Sequence, residues 1–190
     1  FIGDIGREAD RLGRLTQKLL TLTKLDSSVE EEREILDAAP VVRKVVRMLL
    51  PLARLRGIGI DTTFEPDCSV MTVEDDLYQI VFNLTENAIK YNRQDGWVGV
   101  SVRRAGDQVE LRVEDNGAGI PPESMEHIFE RFYRVDKARS RAAGGAGLGL
   151  SIVHDMVERS YGTITVQARP GGGTIFTVRF PHFDLEEDET

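Results

Sequence analysis

The sequence predicts an α+β fold: a two-layer α/β sandwich with helices on one face of a sheet, preceded by one long helix. Two pairs of segments alternate polar and apolar residues around a short turn, which is typical of β-hairpins: WVGVSVRR with QVELRVED, and TITVQAR with TIFTVRF. Segments with the apolar spacing of α-helices precede and separate these hairpins. Hairpins on one sheet with helices between them imply a sandwich in which one sheet face is covered.

Length and composition indicate one packed domain with room for a helical appendage. The chain has 190 residues, of which 41% are hydrophobic and 29% are charged, as is typical of a soluble globular protein. The formal net charge of −8 and the lack of a long basic stripe argue against a nucleic-acid partner, although a few local cations can still hold a nucleotide. Cys68 is the sole cysteine, which excludes an internal disulfide and suits a reducing compartment.

The ends of the sequence indicate a fragment. No apolar stretch approaches the length that spans a bilayer, and no signal-peptide pattern opens the chain. Because the first residue is Phe1 and not Met, we expect that any membrane or sensory portion lies upstream.

The first predicted element is a long helix over residues 1–26. Its leucine-rich positions repeat with heptad spacing, so it is expected to pack against other helices. These positions are Ile5, Leu12, Leu15, Leu19 and Leu22. Residues 27–36 are acidic and lack apolar periodicity, which predicts a linker. The packed domain is then expected over residues 37–183, followed by an acidic tail over residues 184–190.

The domain is predicted to begin with a helix over residues 38–56. Asp37 can cap this helix, Pro40 is tolerated in its first turn, and Gly57 ends it. Two short strands, a second helix, the first hairpin, a long basic loop, a third helix and the second hairpin follow. Predicted bounds are 58–64 and 70–73 for the two strands, 74–91 for the second helix, 148–160 for the third, and 170–173 for the last hairpin turn.

The second helix carries a polar stripe beside its apolar one, at about 100° of rotation per residue. The apolar stripe consists of Leu77, Ile80, Val81, Leu84 and Ala88, and the polar stripe of Asn83, Glu86, Asn87 and Lys90. The carboxamide oxygen of Asn87 is a hard ligand suited to Mg²⁺, and Lys90 can meet a phosphate oxygen one turn later. The alternative is an ordinary solvated helix face.

The segment VEDNGAGI runs from an alternating strand into a glycine-containing turn. Gly117 and Gly119 allow the backbone to approach a flat ligand closely. Asp115 at the strand end can accept a hydrogen bond from an exocyclic amine such as adenine N6. The alternative is a plain Asp-Asn-Gly turn, which residue preferences alone would explain.

The segment GGAGLGLSIVHDMV places four glycines directly before an apolar helix: Gly144, Gly145, Gly147 and Gly149. Exposed N–H groups at a helix N-terminus form a phosphate site. The spacing fits neither a P-loop nor a dinucleotide fingerprint, so both standard nucleotide folds are disfavoured. The alternative is a flexible loop, which is compatible with a lid.

Cations are concentrated just before that glycine loop, in FERFYRVDKARSR. They are Arg131, Arg134, Lys137, Arg139 and Arg141. Local cation density beside a phosphate-type loop indicates an anionic ligand more strongly than either feature alone. The aromatic residues Phe129, Phe132 and Tyr133 are expected to anchor this segment to the core.

In this order the segments resemble the histidine-kinase branch of the superfamily that includes gyrase, the heat-shock ninety chaperones and the mismatch-repair ATPases. NLTENAIKYN resembles the N-box, DNGAGI the first glycine box, FERFYR the F-box, GGAGLGL the second glycine box and GGGTIF the last glycine box. Each motif is short, but the ordered set over residues 36–181 is highly specific. The resemblance implies a Bergerat-type ATP-binding fold, with three helices on one face of a mixed sheet and a lid over residues 129–145.

The resemblance also implies roles in binding Mg-ATP. Asn87 is expected to ligate Mg²⁺, and Tyr91 to lie near the adenine. Asp115 is expected to bind adenine N6, aided by a water near Thr174. Residues expected to act in catalysis are Asn83 beside the phosphates, Lys90 on a phosphate, and Arg131 or Arg134 on the γ-phosphate. The other expected ATP-binding residues are Gly117, Gly119 and Ile120 of the first glycine box and Gly145, Gly147, Leu148 and Gly149 of the second.

The opening helix resembles the second helix of the kinase dimerisation and phosphoacceptor domain. The first helix of that domain, with its acceptor histidine, has no counterpart in the sequence. His127, His154 and His182 lie in other motifs and are expected to be surface or packing residues. The resemblance implies a homodimer in the full-length protein, a response-regulator receiver domain as partner, and location in the cytoplasmic portion of a membrane-anchored bacterial sensor. Two departures from the family pattern are Ala146 and the SYGT segment before the penultimate strand.

The leading interpretation is a kinase module that transfers the γ-phosphoryl group of ATP to a histidine for relay to a response-regulator aspartate. A module that binds ATP as a switch without transfer is one alternative. A serine-directed anti-sigma kinase is another, which the leucine-rich opening helix disfavours. Hydrolysing relatives carry a Glu at the position of Asn83, and an amide cannot accept a proton, so slow hydrolysis is expected. Glu86 is not expected to replace that base.

Overall fold

The computed structural model describes residues 32–135 and 147–184. The predicted opening helix, most of the predicted linker, Gly145 and the acidic tail after Asp184 lie outside the described residues. Within the described part, three α-helices and a mixed five-stranded sheet form the predicted α+β sandwich. None of these described helices is long and apolar enough to cross a membrane.

The main sheet contains five strands. In spatial order these are β2 (Gly59–Phe64), β4 (Trp97–Ala105), β5 (Gln108–Asp115), β7 (Thr174–Pro181) and β6 (Thr163–Ala168). β2 runs parallel to β4, and every other neighbouring pair is antiparallel. The sheet is therefore mixed, and the two predicted hairpins, β4–β5 and β6–β7, are confirmed.

The three helices begin and end within one residue of their predicted bounds: α1 (Ala38–Leu55), α2 (Glu74–Lys90) and α3 (Gly149–Arg159). The side chain of Asp37 caps α1 by accepting a hydrogen bond from the N–H of Ala39 at 3.1 Å. Gly57 follows α1 with φ of 65°, the left-handed conformation that ends a helix. A short 3₁₀ turn over Pro122–Ser124 interrupts the loop after β5.

The core lies between the helices and one face of the sheet. β4 shows why: Val98, Val100 and Val102 are at most 1% exposed, whereas the residues between them are partly exposed. Leu84 and Leu77 on α2 are fully buried in the same core cluster. The apolar stripe predicted for α2 therefore faces the sheet, which directs the adjoining polar stripe to the side of the helix.

The predicted linker is wrong at its C-terminal end. Residues Glu34–Asp37 form a strand, β1, which pairs antiparallel with β3 (Ser69–Thr72) in a separate two-stranded sheet. Leu36 on β1 also packs against the core. Four residues are too few to show periodicity, and the strand exists because of a partner more than thirty positions away.

Two polar contacts join the start of α2 to the end of α3. Asp76 is 2% exposed and accepts two hydrogen bonds from the guanidinium group of Arg159. Beside them, the hydroxyl groups of Thr72 and Ser160 form a hydrogen bond of 2.8 Å. A charge-assisted bidentate pair at a buried position restricts geometry strongly. These contacts hold the relative placement of the two helices that flank the cavity described below.

The face of the sheet opposite the helices is polar. Glu110 on β5 is 3% exposed because it lies between Arg103 on β4, at 2.7 Å, and Arg179 on β7, at 2.8 Å. Burial disfavours the charged form of Glu110, but hydrogen bonds and charge from the two arginines outweigh it and lower the pKa of this carboxyl group. Cross-strand ion pairs thus cover a face on which none of the three described helices packs.

Candidate functional site

A cavity of about 650 Å³ opens between α2, the end of β5, the start of α3 and the β6–β7 turn. Most of the site residues expected from the sequence meet there. The predicted residues that line it are Asn87, Lys90, Tyr91, Asp115, Gly119, Ile120, Arg134, Gly147, Gly149 and Thr174. Five short motifs that are separate in the sequence therefore contribute to one site.

The C-terminal half of α2 forms one wall of the cavity. Glu86, Asn87 and Lys90 of the predicted polar stripe line it. Asn83 does not, because it is 3% exposed and lies deeper in the structure. The Nδ2 atom of Asn83 has no hydrogen-bond partner among the described residues. The ammonium group of Lys90 lies 5.2 Å from the centre of the Tyr91 ring, at the rim of the same wall.

Asp115 supplies a buried carboxylate to the lining of the cavity. It is 8% exposed, and its Oδ1 accepts a hydrogen bond from the N–H of Gly117 at 2.8 Å. Burial raises the pKa of Asp115, while backbone hydrogen bonds from Gly117 and Thr174 and the positive charge of Arg169 act in the opposite direction. An acceptor in this environment is suited to a hydrogen-bond donor on a bound ligand.

The two glycines of the first glycine box have different roles. Gly119, with φ of 74°, lines the cavity as expected. Gly117 does not line it, so its predicted place beside the base is not observed. A Cβ atom at Gly117 would lie 2.8 Å from the carbonyl oxygen of Tyr91 and from the Cα atom of Asn92. Gly117 is therefore required for close packing of the loop against the end of α2.

The second glycine box divides in the same way. Gly147 and Gly149 line the cavity, whereas Leu148 is fully buried in the core and does not. A Cβ atom at Gly147 would lie 2.7 Å from the carbonyl oxygen of Tyr133, so this glycine permits the F-box segment to approach the start of α3. The N–H of Phe132 donates to the Gly147 carbonyl group at 2.9 Å, which joins the two segments.

The two candidate arginines lie in different places. Arg134 lines the cavity, and its Nε and Nη2 atoms are buried with no hydrogen-bond partner among the described residues. Arg131 lies outside the cavity lining, with its guanidinium group 3.2 Å from the carboxylate of Asp155 on α3. A position beside the cavity thus favours Arg134 for contact with a ligand.

The aromatic residues of the F-box segment are only partly the anchors that the sequence predicts. Phe129 and Tyr133 pack against the core, and the Phe129 ring meets Phe176 edge-on at 6.5 Å between centroids. Phe132, however, is 62% exposed and has a positive φ of 68°. The backbone hydrogen bond from Phe132 to the start of α3 holds this residue in the left-handed region, where its side chain turns to solvent.

Sequence reasoning missed several residues of this lining, among them Tyr133 of the F-box segment and Arg169 and Gly173 of the β6–β7 turn. A Cβ atom at Gly173 would lie 1.9 Å from the carbonyl oxygen of Asp115, so only glycine fits there. The run of three glycines before a strand was a usable signal for close backbone approach. The position of Arg169 depends on how the turn folds back, which no local pattern indicates.

The cavity combines a buried acceptor at one end with amide, amine and guanidinium groups elsewhere on its lining. A purine with an exocyclic amine can donate to Asp115, and anionic oxygens can accept from Lys90 and Arg134. Two buried donor atoms of Arg134, which lines the cavity, have no acceptor among the described residues, and an anionic ligand can supply one. The cavity is therefore suited to a purine nucleotide.

The chain matches the family of histidine kinase-, DNA gyrase B-, and HSP90-like ATPases over residues 72–184. The sensor-like histidine kinase SenX3 of Mycobacterium tuberculosis is 37% identical over 175 residues, which cover 92% of this chain and 43% of SenX3. The chain thus spans less than half the length of this relative. The mycobacterial sensor histidine kinase MprB is 29% identical with a TM-score of 0.68, over 80% of this chain and 99% of that one. Full-length ShkA, solved in complex with AMPPNP, is 28% identical with a TM-score of 0.79, over 93% of this chain and 37% of ShkA.

The family match covers α2, the first glycine box, α3 and the last hairpin, the elements that surround the cavity. The same two-layer fold is found in the histidine kinases of known structure named above. The chain belongs to the histidine kinase-, DNA gyrase B- and HSP90-like ATPases, and its described part is the ATP-binding catalytic domain of a sensor histidine kinase.

Proposed function

We propose that this domain transfers the γ-phosphoryl group of Mg-ATP to a histidine on a separate dimerisation helix, for relay to an aspartate of a response-regulator receiver domain. The observation that carries the proposal is the single cavity that joins the carboxylate of Asp115 to Asn87, Lys90 and Arg134. Its shape and donors suit ATP, and the similar kinase ShkA was solved with the ATP analogue AMPPNP. None of the three histidines of the chain lines the cavity, which supports an acceptor elsewhere.

Within this proposal, Asp115 accepts a hydrogen bond from adenine N6, with Thr174 holding a water beside it. Tyr91, Gly119 and Ile120 surround the base. Gly147 and Gly149 approach the phosphates from the start of α3, where free N–H groups and the helix dipole favour negative charge. The fact that all of these residues line one cavity supports the assignment.

The phosphate end is assigned to α2 and the F-box segment. Asn87 would hold Mg²⁺ through its carboxamide oxygen, and the metal would neutralise charge on the phosphate oxygens. Lys90 and Arg134 are cations that line the cavity, and both can donate hydrogen bonds to anionic oxygens. We therefore assign both to the phosphates. Asn83 lies on the same helix but is buried outside the cavity lining, so we assign it no contact with the phosphates.

The three functional alternatives are distinguished by a labelling experiment on the longest product of the gene that contains this chain. With γ-labelled ATP and Mg²⁺ we expect acid-labile, base-stable phosphate on one histidine, and loss of the label in Asn87→Ala. The 190-residue chain alone is expected to remain unlabelled. Acid-stable phosphate would indicate the serine-directed kinase. ATP binding without any label would indicate the switch module, and either result would contradict the proposal.

The two arginines give a second test of the site. Arg134→Ala is expected to weaken ATP roughly tenfold but ADP less than about twofold, because a charge-assisted hydrogen bond to the γ-phosphate is lost. Arg131→Ala is the matched control, since Arg131 pairs with Asp155 and does not line the cavity. Titration calorimetry with both nucleotides measures the difference. If Arg131→Ala lost more affinity for ATP relative to ADP than Arg134→Ala, the assignment of the γ-phosphate to Arg134 would be wrong.

The proposal extends to the setting of the domain. We infer a homodimer in the full-length protein, formed through the leucine-rich opening helix and its partner helix. The relatives are named as sensor kinases, which supports a place on the cytoplasmic side of a membrane-anchored sensor. The acidic net charge of −8 is consistent with the absence of a nucleic-acid partner in this proposal.

A further inference from the structure

We propose that Arg169 is a specificity-determining residue of the cavity, because its charge keeps Asp115 available as the acceptor for the amine of the base. Arg169 stacks on Trp97, and Trp97 is held in turn by Asp61. This inference rests on the proposed ATP-binding function and adds a set of residues that the family motifs do not contain. Neither Trp97 nor Arg169 belongs to any of the five motifs found in the sequence.

The backbone of Arg169 is fixed at the mouth of the β6–β7 turn. Its N–H donates to the carbonyl group of Gly173 at 3.0 Å, and its own carbonyl group accepts from the N–H of Gly172 at 3.0 Å. Arg169, Gly173 and Thr174 line the cavity together with Asp115. The turn therefore places Arg169 in the lining of the cavity that contains the buried carboxylate, and Gly173 of the same turn packs against the backbone of Asp115.

The guanidinium group of Arg169 stacks on Trp97, with its central carbon 5.4 Å from the ring centroid. Such a stack leaves the edge of the guanidinium group, with its N–H donors, directed away from the ring. A long side chain in a turn has high conformational entropy, and contact with a fixed ring restricts it. The stack thus limits the positions that the charge can occupy.

Trp97 is itself held at three points. Its indole N–H donates to the carboxylate of Asp61 on the edge strand β2 at 2.6 Å. Its backbone N–H donates to the side chain of Asn116 at 2.7 Å, and Asn116 follows Asp115 directly in the chain. Its ring crosses Gly99, where a Cβ atom would lie 2.7 Å from two ring carbons. The Trp97 ring is therefore a fixed platform between the edge of the sheet and the cavity.

The charge of Arg169 matters because Asp115 is buried. Burial raises the pKa of Asp115 above its ordinary value, and the charge of Arg169 acts against that shift. Among the other charged groups around this carboxylate, Glu114 on β5 raises the pKa and is itself paired with Arg112 at 2.6 Å. Glu86 and Lys90 on α2 and Arg134 on the F-box segment carry the remaining charges of the lining.

The charge state of Asp115 affects which base the cavity prefers. An ionised Asp115 accepts hydrogen bonds only, so it favours an exocyclic amine over a carbonyl oxygen at the same position of the base. Once protonated, the carboxyl group carries a donor and discriminates less. Without the charge at position 169, protonation takes place at a higher pH, since the charged form has lost a stabilising neighbour.

The test compares the affinity for ATP with that for purine riboside triphosphate, which lacks the 6-amino group, across a pH series. The ratio of the two affinities isolates the contact with the amine from effects on the phosphates. The ratio is expected to fall as the pH is lowered, and to fall at a higher pH in Arg169→Gln. At the pH where the ratio of the parent chain is halved, that of the variant is expected to be lower by a further factor of roughly three to ten.

Three further variants complete the design. Arg169→Lys keeps the charge and is expected to restore most of the parent profile. Arg104→Gln removes the same charge from an exposed site on β4 outside the cavity lining and is expected to leave the profile unchanged. Asp115→Asn cannot titrate and is expected to give a ratio independent of pH.

Each outcome bears on one of the two proposals. If the parent chain binds no ATP, the proposed function fails and this inference fails with it. If the parent chain binds ATP with a pH-dependent ratio, but Arg169→Gln follows Arg104→Gln, only the inference about Arg169 is overturned. Equal losses in Arg169→Gln and Arg169→Lys would overturn it as well, because the charge would then have no role.

Discussion

Replacing Asp115 with alanine is expected to lower the affinity for ATP by about 100-fold. The substitution removes from the cavity lining an acceptor that is 8% exposed, so the amine of a bound adenine would have no partner. It also releases the N–H of Gly117, which donates to Asp115 at 2.8 Å and shapes the loop beneath the base. The loss of recognition and the loss of loop geometry act in the same direction.

Glu114→Ala is a matched control for this prediction. Glu114 precedes Asp115 on β5 and carries the same functional group class, but its side chain pairs with Arg112 at 2.6 Å and does not line the cavity. Titration calorimetry should therefore show a large loss of affinity for ATP in Asp115→Ala and a change of less than about threefold in Glu114→Ala. GTP should compete weakly, since it carries O6 where ATP carries an amine. Equal affinities for ATP in Asp115→Ala and the parent chain would refute the assignment of Asp115 to the adenine base.

Gly173→Ala is expected to lower the free energy of unfolding by about 3 kcal/mol or more and to disrupt the cavity. The new Cβ atom would lie 1.9 Å from the carbonyl oxygen of Asp115 and 2.7 Å from the Cα atom of Asn116. Both contacts are with backbone, so a side-chain rotation cannot relieve them. The β6–β7 turn would have to move away from the end of β5, and Thr174 and Arg169 would move with it.

Gly172→Ala separates this clash from backbone strain. Gly172 and Gly173 have nearly the same φ, 101° and 104°, but a Cβ atom at Gly172 meets nothing within 4 Å. Strain alone is expected to cost about 1 to 2 kcal/mol, and urea unfolding of the two variants measures the difference. Equal destabilisation in the two variants would show that the close approach to Asp115 is not a constraint on this turn.

Local sequence patterns were sufficient for most of the secondary structure. The cap at Asp37, the end of α1 at Gly57 and the alternation along β4 and β5 depend on neighbours within a few positions, and the structure places all of them as predicted. The strand Glu34–Asp37 was missed because its pairing with β3 joins segments far apart in the chain. Short strands of this kind are defined by their partners more than by their own residues.

In the candidate site, too, some residues could be predicted from local sequence and others depend on tertiary packing. Asp115, Asn87 and Lys90 could be chosen from the sequence, because each lies in a motif whose residue types suit its expected ligand. The choice between Arg131 and Arg134 could not be made, since both belong to one short basic segment. Tertiary packing separates the two by pairing Arg131 with Asp155 on α3 and placing Arg134 beside the cavity, which is why the proposal assigns the phosphate contact to Arg134.

By itself, the sequence determined the fold class, the family and the motifs that surround the cavity, because ordered motifs and hydrophobic periodicity are properties of the linear chain. The tertiary structure alone decided which glycines serve packing and which face the cavity, as Gly117 and Gly119 illustrate. It also brought Arg169 into the lining that contains Asp115, and it stacked the Arg169 guanidinium group on Trp97. These contacts depend on how a turn and a strand from distant parts of the chain meet, and no spacing within either segment encodes that distance.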